Sequence, residues 1–219
     1  AVPFGMEPWE YAAWWFEGEG SKLANEIYNK QNIQVLLCST IGPETAGWYR
    51  NPITSLDDLK GLKIRFSGLG GMVLNEIGAS ATLMAGGEIF AALEKGTLDA
   101  TEYSMPAIDE VIGFHKITKF NLFPGWHQVS TSTHFMINLD LWKKMGAADQ
   151  ALFEMACTAA AMRAITTGEF LQGKQIASFP SKGVTAARLP DSVLRELQKV
   201  SARVMDEQSA KDADFKKVW

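Results

Sequence analysis

Short strand-like and helix-like segments alternate between residues 59 and 103, and this alternation constrains the fold more than any other feature of the chain. Gly96 and other glycines separate the segments at the expected turns and helix ends. Strands that alternate with helices in this way form βαβ units around a parallel sheet. We therefore predict an α/β fold, with strands at 62–66, 81–84 and 98–103 and helices at 72–77 and 88–95.

Two charged residues in this stretch lie near the ends of predicted strands. Arg65 is close to the end of the first strand, and Glu102 is close to the end of the third. Ligands of open α/β sheets bind beyond the carboxyl ends of the strands. Arg65 and Glu102 are therefore expected to face one opening, and they are the first candidates for a binding site.

The composition excludes several classes of function. Of the 219 residues, 47% are hydrophobic, which supplies a core for one domain or two small ones. The net charge of -4, without a block of Lys and Arg, argues against nucleic-acid binding. No apolar stretch approaches the roughly 20 residues that span a bilayer. Cys38 and Cys157 match neither zinc-site nor redox-pair spacing, so we expect two buried thiols and leave the redox compartment open.

The rest of the chain contains one unusually long helical segment. Residues from Ala147 to about Phe179 have few helix breakers and predict a helix about 50 Å long. Because a small lobe cannot cover that length, part of the helix is expected to pack on another lobe or another subunit. Elsewhere the pattern predicts helices at 8–16, 19–31 and 190–205, strands at 33–38, 120–123, 134–138 and 184–188, and a turn-rich loop at 39–53.

Three strings carry a resemblance to a known family: LKGLKIRFSG at 59–68, GGEIFAALEKGTLDATEY at 86–103 and FPGWH at 123–127. In this order and spacing they resemble the DctP-type solute-binding subunit of tripartite ATP-independent periplasmic (TRAP) transporters. The string GPETAGWYRNPI at 42–53, together with Glu102-Tyr103 and Trp126-His127, is similar to the branch that binds 2-oxo acids and other small monocarboxylates with a metal ion. The resemblance covers nearly the whole chain.

This resemblance implies a fold of two α/β lobes that are joined by crossing strands and close on the ligand like a hinge, with a long C-terminal helix. It places 1–38 and 104–130 in the first lobe, 39–103 and 131–180 in the second, and 181–219 in a C-terminal strand and helices. An α/β domain usually opens with a strand, whereas this chain opens with a helical pattern. The missing strands of the first lobe and a secretory signal are therefore expected upstream of Ala1, and the protein is expected in the periplasm.

The resemblance also implies an anchor for the anion. Arg65 matches the arginine that binds the ligand carboxylate through a two-pronged salt bridge, because a guanidinium presents a planar fork to both oxygens. A surface or interlobe ion pair is the alternative. Trp126 and His127 are further pocket candidates, although a lone histidine is more often structural. Trp48 and Phe66 are expected to line the cleft, with core packing as their alternative.

Metal binding is implied at four residues. Glu102 matches the branch's metal-binding acid, and Tyr103 contributes a backbone carbonyl and a place beside the substrate. Glu44 stands where relatives commonly have Gln, and Gln128 matches a position that is acidic in some relatives. Arg65, Glu44 and Glu102 sum to about one negative charge, and a ligand carboxylate adds another in a desolvated cleft. We therefore predict calcium over sodium, with Glu44 and Glu102 as oxygen ligands, unless Glu44 is an exposed or protonated acid.

Three functions follow, and we rank them. The first is a periplasmic binding protein, not an enzyme, which captures a 2-oxo acid or lactate-like monocarboxylate and delivers it to the TRAP membrane permease. The second is a metal-dependent enzyme acting on a 2-oxo acid, although no nucleophile–base set or phosphate loop emerges. The third is a ligand sensor of the same fold. The long helix suits a homodimer, as in the 2-oxo-acid branch; a monomer with a bracing helix is the alternative.

Overall fold

A computed structural model of the chain describes residues 2–219. Its internal contacts separate into two compact units. The predicted lobes placed 104–130 with 1–38, whereas the structure groups 104–129 with 43–103. How the units correspond to the two lobes of the resembled fold stays a prediction. Unit 1 comprises the residues up to Gly5, Pro43–Val129 and Phe170–Glu207, and unit 2 comprises Met6–Gly42, Ser130–Glu169 and Gln208–Trp219.

The helices and strands follow one another along the chain much as the sequence pattern predicts. The helices are α1 (Pro8–Phe16), α2 (Gly20–Tyr28), α3 (Gly68–Ile77), α4 (Gly86–Glu94), α5 (Pro106–Ile112), α6 (Leu139–Lys144), α7 (Ala147–Ser178), α8 (Asp191–Lys211) and α9 (Ala213–Val218). The strands are β1 (Ile33–Ile41), β2 (Gly47–Tyr49), β3 (Lys63–Arg65), β4 (Ser80–Thr82), β5 (Ala100–Thr101), β6 (Phe120–Phe123), β7 (Thr131–Asn138) and β8 (Thr185–Arg188). The long helix is confirmed as α7, which has 32 residues.

Unit 1 is built on a six-stranded sheet with the order β4-β3-β5-β2-β6-β8. The predicted βαβ units are confirmed where β3 runs parallel to both β4 and β5. The prediction of a parallel sheet is wrong beyond β5, because β2 runs antiparallel to β5 and to β6. β2 precedes the first βαβ unit, so no helical crossover ties its direction to that of β3.

Two local predictions in unit 1 are corrected. Gly68–Gly71 was expected to break the chain, yet α3 begins at Gly68. Gly70 is required by close packing, since a Cβ there would lie 2.6 Å from the Phe66 ring and 2.8 Å from the His127 Cβ. The loop at 39–53 contains β2, whose three residues are all buried. A strand this short carries no measurable period in the sequence.

The core of unit 1 joins the sheet to the helices that cover it. Trp48 of β2 is fully buried among apolar residues, and its ring meets Phe179 edge-on at 5.3 Å between centroids. The residues buried with Trp48 are Ile89, Ala92, Leu93, Leu98, Phe114, Phe179 and Val184. Packing of α4 and the loops after it therefore holds β2 in the middle of the sheet.

Unit 2 contains the antiparallel pair β1 and β7, whose register runs from Ile33 opposite Asn138 to Ile41 opposite Thr131. Cys38 of β1 and Cys157 of α7 form a disulfide. The prediction of two free buried thiols is therefore wrong, because the 119 residues between the cysteines hide the proximity of β1 and α7. None of the helices within residues 2–219 combines the length and apolarity needed to cross a membrane.

Candidate functional site

Three ionisable side chains from distant parts of the sequence meet in the interior of unit 1. Glu44, Glu102 and His127 are 4%, 1% and 3% exposed, and each offers a ligand atom within 4.8 Å of the others. His127 Nε2 lies 3.6 Å from Glu102 Oε1 and 3.7 Å from Glu44 Oε2. Two carboxylates and an imidazole that converge in this way form a donor set for a metal ion.

The backbone around Pro124 and Gly125 brings Glu44 and His127 together. The backbone N–H of Glu44 donates to the carbonyl of Gln128 at 3.2 Å. A Cβ at Gly125 would collide with the carbonyl of Glu44, so only glycine permits the two segments to lie this close. The Pro-Gly-Trp-His corner therefore supports the loop that carries Glu44.

Arg65 is held against Glu102 at the ends of β3 and β5. Its Nη1 donates to Glu102 Oε2 at 2.8 Å and to the Glu102 carbonyl at 2.5 Å, while its Nε donates to the Met84 carbonyl at 3.3 Å. The Ser67 hydroxyl donates to the same Glu102 oxygen at 3.3 Å. Glu102 therefore has one oxygen engaged by Arg65 and Ser67, and its other oxygen faces His127.

Aromatic rings enclose this group of charges. The Arg65 guanidinium carbon lies 5.4 Å from the centroid of the Tyr103 ring, within range of a cation–π contact. The Phe66 ring stacks on Trp126 at 5.8 Å and meets His127 edge-on at 4.5 Å. These rings restrict the side-chain movements of Arg65 and His127.

Burial and neighbouring charges shift the pKa values of all three ionisable residues. Burial raises the pKa of Glu44, and the Glu102 charge adds to this effect while His127 opposes it. Burial also acts most strongly on Glu102, but His127 and Arg65 outweigh it and lower the pKa of Glu102. Burial disfavours charged His127, yet the two carboxylates outweigh burial and raise its pKa. The site thus carries a concentrated charge that depends on the proton content of these residues.

Several polar atoms of the cluster lack a hydrogen-bond partner in the part of the chain that the structure describes. They are Glu44 Oε2 and both ring nitrogens of His127. A buried polar atom without a partner costs about 1–3 kcal/mol. A bound cation would satisfy Glu44 Oε2 and one nitrogen of His127 at once, so the residues fit a metal ion.

The structure distributes the other predicted site residues differently. Trp48 lies in the apolar core, and its Nε1 donates to Asp109 Oδ2 at 2.8 Å. Gln128 meets the site through its backbone carbonyl, as described above, and Tyr103 through its ring. Roles of the Gln128 side chain and the Tyr103 carbonyl as metal ligands stay predictions.

Sequence reasoning missed two residues of the site. Ser67 bonds Glu102, and its position before the Gly-rich start of α3 is a helix N-cap signal that could have drawn attention to it. Asp109 is fully buried in α5, and the sequence PAIDEVI gives no sign of this. His127 was expected beside the substrate, but the structure brings it into the donor set of the metal candidate.

Comparison with known proteins identifies the family. Residues 1–212 match the model of the family described as bacterial extracellular solute-binding protein, family 7, DctP. The chain belongs to this family, and the resemblance to TRAP solute-binding subunits is confirmed. A protein of Nostoc sp. named monocarboxylate 2-oxoacid-binding periplasmic protein is 31% identical over 219 residues, which are all of this chain and 60% of that protein.

Solved structures agree with this assignment and confirm the α/β fold. A TRAP solute-binding protein of Bordetella bronchiseptica RB50, a mixed-occupancy dimer with copurified calcium and picolinate, has a TM-score of 0.93 and 35% identity over the whole chain. One from Pseudoalteromonas atlantica T6c, with sodium and pyruvate, has a TM-score of 0.90 and 32% identity over the whole chain. The chain spans 65% and 67% of those two proteins, respectively.

Proposed function

We propose that this chain is part of an extracytoplasmic solute-binding protein of a TRAP transporter. It captures a small organic acid anion, such as a 2-oxo acid or lactate-like monocarboxylate, together with a metal ion, and it delivers the anion to the membrane permease. The observation that carries this proposal is the buried cluster of Glu44, Glu102 and His127 beside Arg65. Family membership and the carboxylates named for the relatives support it.

Arg65 is the proposed anchor for the carboxylate of the anion. Its Nη1 and Nε are engaged by Glu102 and Met84, while Nη2 donates no hydrogen bond to protein within residues 2–219. Nη2 therefore has its two N–H groups available to an anion, and the pair with Glu102 keeps the guanidinium fixed. A fixed guanidinium loses little side-chain entropy on binding, which favours affinity.

Charge balance favours calcium over sodium. Arg65 contributes one positive charge, Glu44 and Glu102 contribute two negative charges, and a ligand carboxylate adds a third. A divalent ion brings this total to zero, whereas a monovalent ion leaves one negative charge in a buried site, which is costly. His127 must be neutral to coordinate the ion, so it does not change the balance.

We infer that Glu44 and Glu102 hold the ion, with Tyr103 and Gln128 as further oxygen donors and His127 as a nitrogen donor. Calcium accepts six to eight oxygen ligands in flexible geometry, so a ligand carboxylate and water complete such a set. When bound, the ion supplies positive charge beside the anion. Arg65 orients the carboxylate, and Phe66 and Trp126 exclude water from the back of the cluster.

The proposal includes no covalent step, and the protein acts as a binder rather than an enzyme. Periplasmic localisation is supported by the Cys38–Cys157 disulfide, since such bonds persist in oxidising compartments. A homodimer through α7 is supported by the apolar side chains that this helix exposes: Leu152 is 63% exposed and Met155 is 67% exposed.

A thermal-shift panel tests this function. The protein is mixed with pyruvate, lactate or the uncharged analogue pyruvamide, each with calcium, with sodium or with a chelator. We expect pyruvate and lactate to raise the unfolding temperature in calcium, because a ligand that binds only the folded state stabilises it. Pyruvamide should have no such effect, and pyruvate should be recovered unchanged. An undiminished shift under chelation would refute the metal, and no shift with any acid would refute the function.

A further inference from the structure

Asp109 is a buried carboxyl group that the proposed function does not use. It lies in α5 with 0% exposure, and its Oδ1 has no hydrogen-bond partner in the described part of the chain. Its Oδ2 accepts a hydrogen bond from Trp48 Nε1 at 2.8 Å. An indole N–H is a neutral donor, so it cannot compensate a buried negative charge in the way that a cation does.

The bond between Asp109 and Trp48 connects α5 to both segments that carry the metal-binding acids. Trp48 lies on β2, four residues after Glu44 in the chain. In the sheet, Trp48 is paired with Thr101 of β5, which directly precedes Glu102. A displacement of the Trp48 ring would therefore be passed to β2 on one side and to Glu102 on the other.

The charges around Asp109 favour its uncharged form. Burial raises the pKa of Asp109 to about 8, and the nearby charges of Glu44 and Glu102 add to this effect, while Trp48 and the backbone of Ser104 oppose it. On the elements that pack beside α5, the charged groups are engaged with one another: Glu110 pairs with Lys182 and His115. Asp109 is thus the group in this region whose proton is retained at neutral pH.

We propose that Asp109 is a positioning residue of the binding site, which as an uncharged acid fixes Trp48 and, through it, the strands that carry Glu44 and Glu102. This inference rests on the proposed function, because the site that it positions is the metal and anion site. Asp109 touches neither ligand. Its neutral form leaves the net charge of the site to Arg65, Glu44, Glu102 and the cation.

Two substitutions separate this role from that of a charged residue. Asp109→Asn keeps a neutral acceptor for Trp48, so pyruvate affinity in calcium should stay within about twofold of the original protein. Asp109→Leu removes the acceptor and leaves the indole N–H buried without a partner, so affinity should fall at least about tenfold. Asp206→Asn, an exposed acid on α8, is the matched control and should change nothing.

The Trp48 indole N–H resonance, assigned with Trp48→Phe, gives a readout that needs no ligand. In the original protein it should shift with pH around a midpoint of about 8, and in Asp109→Asn this titration should disappear. If calorimetry finds no acid-anion binding in the original protein, the proposed function has failed, and the resonance alone then decides the protonation of Asp109. A resonance that does not move with pH would overturn the inference.

The affinities supply two further outcomes. If Asp109→Asn weakens binding as much as Asp109→Leu, the site requires an ionised carboxylate and the inference is wrong. If folded Asp109→Leu binds as tightly as the original protein, Asp109 positions nothing and the inference is also wrong. Should Asp109→Leu fail to fold, Asp109→Asn and the Trp48 resonance still decide the question.

Discussion

Arg65 Nη1 lies 2.8 Å from Glu102 Oε2, and both side chains are almost wholly removed from solvent. The proposed anchor of the anion is therefore hydrogen-bonded to a proposed ligand of the metal. Because one carboxylate serves both, occupancy by the cation and the orientation of the arginine are coupled. Binding of the acid and binding of the metal should accordingly depend on one another.

Replacing Arg65 with lysine should weaken pyruvate binding in calcium by about 2–5 kcal/mol, because the buried charge pair loses its planar fork. Isothermal titration calorimetry on folded protein measures this loss. Arg188→Lys is the matched control, since Arg188 is exposed and pairs only with nearby Asp191. Equal affinities of Arg65→Lys and the original protein would exclude Arg65 as the anchor.

Glu44→Gln should change which cation supports binding. The substitution removes one negative charge and installs the residue that relatives commonly have, so calcium-dependent pyruvate affinity should fall while sodium-supported affinity should rise. One buried charge is worth on the order of 1–3 kcal/mol here. Exposed Glu94→Gln serves as the control. If the ratio of affinities in calcium and sodium is unchanged, Glu44 does not contact the ion.

The Cys38–Cys157 disulfide should contribute about 2–5 kcal/mol to the free energy of unfolding, because it closes a long loop in the unfolded chain. Cys38→Ala with Cys157→Ala, or a reductant applied to the original protein, should lower stability by similar amounts in urea denaturation. Reductant added to the double variant is the control and should have no effect. An unchanged urea midpoint on losing the bond would contradict the structure of unit 2.

His134 should make the protein less stable in mild acid. Burial lowers the pKa of His134, so the unfolded state takes up its proton more readily than the folded state. Stability is therefore fully present above the unfolded pKa and falls as pH drops below it, by at most about 1.4 kcal/mol per pH unit. His134→Gln should flatten this dependence between pH 7 and pH 5 in thermal unfolding. A slope that is unaltered by the substitution would show that other groups cause it.

The apolar side chains of α7 should determine the oligomeric state. Leu152 and Met155 are largely exposed and one helical turn apart, so they lie on the same face. Leu152→Glu with Met155→Glu should convert a dimer to a monomer in light-scattering measurements, whereas Leu141→Glu, an exposed position on α6, should not. A monomeric original protein would contradict the proposed homodimer.

The sequence was most informative where local patterns repeat. The βαβ segment around Arg65 and the long α7 could be predicted because periodicity and glycine positions determine them locally. β2 was missed because a three-residue strand is specified by its neighbours β5 and β6 rather than by its own pattern. The disulfide and the contact of His127 with both glutamates were missed for a related reason: each joins segments that only the folded chain brings together.

A crystal structure of the protein grown with calcium and pyruvate tests the central claim most directly. The account predicts an ion bound by Glu44 and Glu102 and a pyruvate carboxylate in contact with Arg65. An ion or pyruvate bound elsewhere, with Arg65 making no contact to the carboxylate, would contradict it.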